Sequence, residues 1–63
     1  MNESEIKAVE TAIKNETAIT VKYSGNDITF VPSEIDEDDE TVIGKTNDGH
    51  IVEFEFKEIT LSK

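Results

Sequence analysis

The sequence predicts a mainly β domain: an N-terminal helix followed by about five short antiparallel strands that curl into a small barrel. Three observations carry this expectation. Apolar residues recur at helical spacing over residues 2–15, then switch to a period of two from Thr17 onward. Turn-forming clusters separate the alternating stretches. A chain of 63 residues is too short for two cores, so residues 1–63 are read as a single domain.

The helix is expected over residues 2–15. Asn2 is its cap, and Glu5 stands at the capping-box spacing three positions later. Ile6, Val9 and Ile13 form one apolar stripe, Ala8 and Ala12 favour the helix, and Asn15 is the expected stop. In the first strand Ile19, Val21 and Tyr23 share a face. Ser24-Gly25-Asn26-Asp27 is read as the turn, and Ile28 and Phe30 as the inward side of a second strand that Pro32 ends or places at an edge. Ser33 to Glu40 reads as a solvated loop or a widened hairpin end.

A third strand is expected at Thr41–Thr46, a tight turn at Asn47-Asp48-Gly49 and a fourth strand from His50 to Phe56. In that fourth strand Val52, Phe54 and Phe56 face one way, against Ile51, Glu53 and Glu55. Ile59 and Leu61 belong to a short last strand. The predicted interior is Ile19, Val21, Tyr23, Ile28, Phe30, Val42, Val52, Phe54, Phe56 and Ile59, with the helix stripe closing one opening of the barrel.

Composition bounds the function. Apolar residues make up 35% of the chain and charged ones 33%. Six Lys and Arg against 15 Asp and Glu give a formal charge of −9. Phosphate recognition draws on Lys and Arg, so no direct nucleic-acid binding is expected, and an anionic lipid surface repels such a chain. No apolar run reaches the roughly 20 residues of a membrane span, and no segment reads as a signal peptide. The absence of cysteine excludes disulfides and thiolate zinc sites and fits a cytoplasmic setting.

The order of elements resembles a WYL domain, a small Sm-like or SH3-like barrel of bacterial regulators and defence-associated proteins. The likeness runs from about Ile6 to Ile59. Ala12-Ile13-Lys14-Asn15 precedes the first strand, and Val21-Lys22-Tyr23-Ser24-Gly25 matches a strand ending in Tyr and Gly. Pro32 follows the second strand, Val42-Ile43-Gly44 matches a strand with a central Gly, and Phe54-Glu55-Phe56-Lys57-Glu58-Ile59 matches an aromatic strand running into Ile. The Trp-Tyr-Leu triplet of the family is absent near Glu40-Thr41-Val42. The family's basic ligand-site residues are replaced by Glu53, Glu55 and Glu58. The resemblance thus implies an SH3-like or Sm-like fold without the family's ligand site.

No catalytic constellation is present in the sequence, so an enzyme is not expected. His50 is the one histidine, beside a turn; with no cysteine and no second histidine it builds no zinc site of the usual kind, and as a base with Asp48 it lacks the rest of a catalytic arrangement. Asp36, Asp38 and Glu40 alternate, yet no Gly lies between them as a calcium loop requires. No metal or other cofactor is expected. The leading reading is a small acidic binding or inhibitor protein that docks on a basic protein, a nucleic-acid-binding protein being one kind of such partner and an anti-defence or anti-CRISPR protein of a phage or mobile element one concrete version. Its expected contact residues are Glu34, Asp36, Glu37, Asp38, Asp39 and Glu40, with Glu53 and Glu55 adding an acidic sheet face. One competing reading is a WYL-like module that senses or sequesters a nucleotide or other small ligand as an oligomer, through Lys22, Lys45 and Lys57. Another is a structural, oligomerising barrel, since open strand edges pair readily.

Overall fold

The first turn of the helix is closed by its own side chains. In the computed structural model, which describes residues 2–62, α1 spans Glu3–Asn15. The Asn2 side chain accepts from the Glu5 N–H at 2.9 Å, and Glu5 Oε1 accepts from the Asn2 N–H at 3.0 Å. This reciprocal pair satisfies two otherwise unpaired donors. Asn15 is the last helical residue, but the left-handed turn falls on Glu16, at φ 56°. Val9 on the apolar stripe is fully buried, and Ile6 and Ile13 pack beside it.

The strands are β1 (Ile19–Tyr23), β2 (Asn26–Asp36), β3 (Thr41–Lys45), β4 (Ile51–Glu55) and β5 (Ile59–Leu61). They form one antiparallel sheet in the order β4-β3-β2-β1-β5, which is the expected helix-plus-five-strand barrel class. The sheet curls strongly. Tyr23 of β1 and Phe30 of β2 place their rings 5.1 and 5.4 Å from the Phe54 ring of β4. β1 and β4 are separated in the sheet by two strands, so this contact crosses the interior. Phe30, Val21, Val42, Phe54, Phe56 and Ile59 are buried with Val9, and the other predicted interior residues, Ile19, Tyr23, Ile28 and Val52, pack against them.

Four local expectations are corrected. The β1–β2 turn uses only Ser24 and Gly25, both at positive φ, whereas Asn26 and Asp27 already pair with Tyr23 and Lys22. Two residues at positive φ match the twist of a tight hairpin. Phe56 leaves β4 and opens a 3₁₀ turn, Phe56–Glu58, although its side chain stays buried. Pro32 does not end β2. The strand continues to Asp36, because Pro32 lies beside a bulge where a missing N–H is tolerated. Ser33 to Glu40 is accordingly half strand. Ser33–Asp36 extends β2 against β3, Ile35 packs on the core, and only Glu37–Glu40 forms the turn.

β2 organises the sheet. Its residues up to Phe30 pair with β1, and those from Val31 onward pair with β3. At the change of partner Phe30 is buried under β3, directly against Gly44. A Cβ on Gly44 would run into the Phe30 ring and lie 2.5 Å from the Val31 carbonyl oxygen. Neither neighbour can retreat, since one is a packed core ring and the other backbone. The end of β5 is held differently. Glu5 Oε2 accepts from the Leu61 N–H at 2.7 Å, and the Ser62 N–H donates to the Thr20 carbonyl at 2.9 Å. Glu5 therefore covers an outward N–H of an edge strand that would otherwise invite pairing.

Two outcomes follow. Gly44→Ala lowers unfolding free energy by about 2–3 kcal/mol through overpacking, measured by urea denaturation; an unchanged midpoint would mean that the bend does not need a bare backbone. The bonds from Leu61 and then Asn2 hold the Glu5 carboxyl below its ordinary value of 4.5. A depressed carboxyl pKa contributes stability above the unfolded value and loses it as pH falls through the folded one. Glu5→Gln is thus less stable than the parent at pH 7, and the gap narrows below pH 4.5. A gap independent of pH would show that the charge of Glu5 contributes nothing.

Candidate functional site

The acidic residues are placed by a change of phase in β2. Ile28, Phe30 and Pro32 point inward by alternation. Unbroken alternation would then turn Glu34 and Asp36 into the core and Ile35 out. The register with β3 shifts between Pro32 and Glu34, leaving Ser33 as the extra residue, with its hydroxyl donating to the Ile43 carbonyl at 3.2 Å. A bulge of one residue reverses the facing of all that follows. Ile35 goes in, and Glu34 and Asp36 come out.

The outer face of β2, β3 and β4 then has three rows. Asp36, Thr41 and Glu55 form the first; Glu34, Ile43 and Glu53 the second; Val31, Lys45 and Ile51 the third. Two rows are acidic at both ends. The third carries the exposed apolar residues Val31 and Ile51 on either side of a lysine. The acidic turn continues from the first row. Asp36 Oδ1 accepts from the N–H groups of Asp38 and Asp39, at 3.0 and 3.2 Å, so this carboxylate builds the turn it precedes. Glu40 is left-handed at φ 54°, and its carbonyl accepts from the Phe56 N–H at 2.8 Å. That bond ties the turn to the end of β4.

All eight sequence-predicted contact residues, Glu34, Asp36, Glu37, Asp38, Asp39, Glu40, Glu53 and Glu55, thus belong to one outer face and its adjoining turn. Lys57 Nζ lies 3.4 Å from Glu55 Oε2, with both side chains largely in solvent. An exposed pair of this kind contributes at most about 1 kcal/mol. The face keeps a strong negative field.

Thr41 escaped sequence reasoning, and Glu58, placed at a ligand-site position by the resemblance, was not among the expected contact residues. Asp39, Thr41, Glu53, Glu55 and Glu58 border a shallow concavity at the turn end of the face. Thr41 is 7% exposed, and its hydroxyl is buried without a hydrogen-bond partner among the described residues. Leaving such a group unsatisfied costs about 1–3 kcal/mol. Glu58 arrives there through the 3₁₀ turn. No local pattern marks Thr41; only the β3–β4 register brings it opposite Glu55.

The lysines do not converge. Lys22 pairs across strands with Asp27 and Thr60, Lys45 borders a groove with Ile13, Val31 and Pro32, and Lys57 borders a recess with Asp39, Glu40 and Glu55. His50 sits exposed after the β3–β4 turn, its N–H donating to Thr46 Oγ1 at 3.2 Å. A more apolar recess is bordered by Ala18, Thr29, Phe30, Val31 and Asn47 and has no charged lining residue. Among the described residues no group of three His, Cys, Asp or Glu side chains is arranged to hold a metal ion. No helix there is long and apolar enough to cross a membrane.

Compared with protein-family models, with curated proteins and with solved structures, the chain matches none.

Thr41→Val replaces a buried, unpartnered hydroxyl by a methyl group of the same shape and suits a strand. It raises stability by about 1 kcal/mol, or roughly 4–8 °C in melting temperature, read by calorimetry. A loss of stability would show that the hydroxyl has a partner in solution.

Proposed function

We propose that this chain is a small, non-catalytic binding protein that docks its acidic sheet face on a basic protein and blocks that partner's own use of the same surface. The observation that supports this reading is the gathering of Glu34, Asp36, Glu53 and Glu55 on one face, joined to the turn Glu37–Glu40. A binder of nucleic acid offers lysines and arginines spaced to meet phosphates. A sheet face of carboxylates presents the complementary charge on a rigid support. Its field speeds encounter with such a partner and disfavours nucleic acid itself. The concrete version is an anti-defence or anti-CRISPR-type protein of a phage or mobile element, acting in the bacterial cytoplasm. In this reading the chain is a relative of WYL-type barrels whose ligand-binding face has become acidic.

The test is capture of partners on the immobilised protein, with elution by rising salt. A basic nucleic-acid-binding protein is retained, and duplex DNA alone is not. Replacing Glu34, Glu37 and Glu53 by Gln, and Asp38 and Asp39 by Asn, slows its association by about tenfold or more at low salt while folding is unchanged. The difference shrinks as ionic strength rises. Association at the parent rate by the neutralised form would sink the proposal.

A further inference from the structure

We infer that the concavity bordered by Asp39, Thr41, Glu53, Glu55 and Glu58 is a seat for a single arginine side chain of the partner, an inference that rests on the docking reading above. Two independent observations meet there. Four carboxylates border the concavity, and Lys57, which does not line it, is paired with Glu55 at 3.4 Å. Thr41 brings the second. Val42 points into the core, so by alternation its neighbour Thr41 points to the outer face, where it stands directly opposite Glu55. Its hydroxyl is buried and has no hydrogen-bond partner among the described residues. The concavity therefore has carboxylate acceptors around its rim and Thr41 in its lining, with the unsatisfied hydroxyl of that residue buried beneath the surface.

The chemistry of the occupant follows from those groups. A metal ion needs several oxygens converging on one point, and no three carboxylates are so arranged among the described residues. A guanidinium is planar, carries five N–H donors and has no acceptor. It can give one N–H to Thr41 Oγ1 and the others to carboxylates spread more widely than metal ligands. A lysine ammonium is compact and more strongly hydrated, so it gives up more water than a guanidinium does in reaching a buried hydroxyl. Glu53, Glu55 and Glu58 are exposed, so their arms turn aside as the guanidinium enters.

The experiment is a titration of the ¹⁵N-labelled protein, followed by NMR, with the capped tripeptide Gly-Arg-Gly and with its lysine counterpart. The arginine peptide shifts the amides of Thr41, Glu53, Glu55 and Glu58 saturably and binds about fivefold more tightly than the lysine peptide, the worth of one added hydrogen bond. Thr41→Val abolishes that preference while melting at a higher temperature, a combination that damage to the fold does not produce. Thr41→Ser, which keeps the hydroxyl, retains the preference. Equal affinity for the two peptides, or shifts spread evenly over Glu3, Glu10 and Glu34, would overturn the seat. If a basic partner is nonetheless captured in a charge-dependent way, the seat alone has failed and the docking face stands. Arginine preference without any charge-dependent partner supports the seat and overturns the docking reading.

Discussion

The close passage of β2 over β3 at Phe30 and Gly44 is the constraint on which the rest of the structure depends. One strand serves two partners, and it can do so only by bending sharply where it leaves β1 for β3. The bend buries the Phe30 ring against a backbone with no Cβ. From that position Phe30 reaches Phe54, which in turn reaches Tyr23, so three rings link strands at opposite sides of the curled sheet. The bulge at Ser33 follows at once and reverses the facing of the strand. Core closure and the acidic face therefore have a common origin in four residues of β2.

That arrangement also explains how the domain carries so much like charge. The outward acids of β2 and those of β4 are separated by β3, which contributes Thr41, Ile43 and Lys45 to the face and no acid. Two strand spacings amount to about 10 Å, comparable with the screening length at 0.1 M salt. Repulsion between the two columns is weakened accordingly. Asp36 is further offset by the two N–H groups that it accepts. What remains is a negative field directed outward from both columns and the turn.

The elements were largely legible in the sequence, because each is written in a local pattern. The capping box at Asn2 and Glu5, the period-two runs of β1 and β4, and the glycines of the two tight turns all act over a few residues. The acidic run concealed the rest. Six carboxylates between Glu34 and Glu40 outweigh a single Ile35, so the segment reads as solvent-exposed loop. A signal was nevertheless present. Inward residues recur at two-residue steps from Ile28 to Pro32, and Ile35 then falls three further on. A step of three inside an alternating pattern marks an extra residue in one strand.

Sequence by itself determined the class of fold, the identity of nearly all the core, the strong negative charge and the residue types that carry it. These depend on hydrophobic periodicity and composition, which are properties of neighbouring residues. Tertiary structure alone decided that Glu34 and Asp36 share a face with Glu53 and Glu55, that Asp36 is committed to its turn, and that the Thr41 hydroxyl, without a partner among the described residues, lies beside Glu58. Those relations join residues distant in the chain through strand register. Register is set by the bulge at Ser33 and the close approach at Gly44, which act across strands.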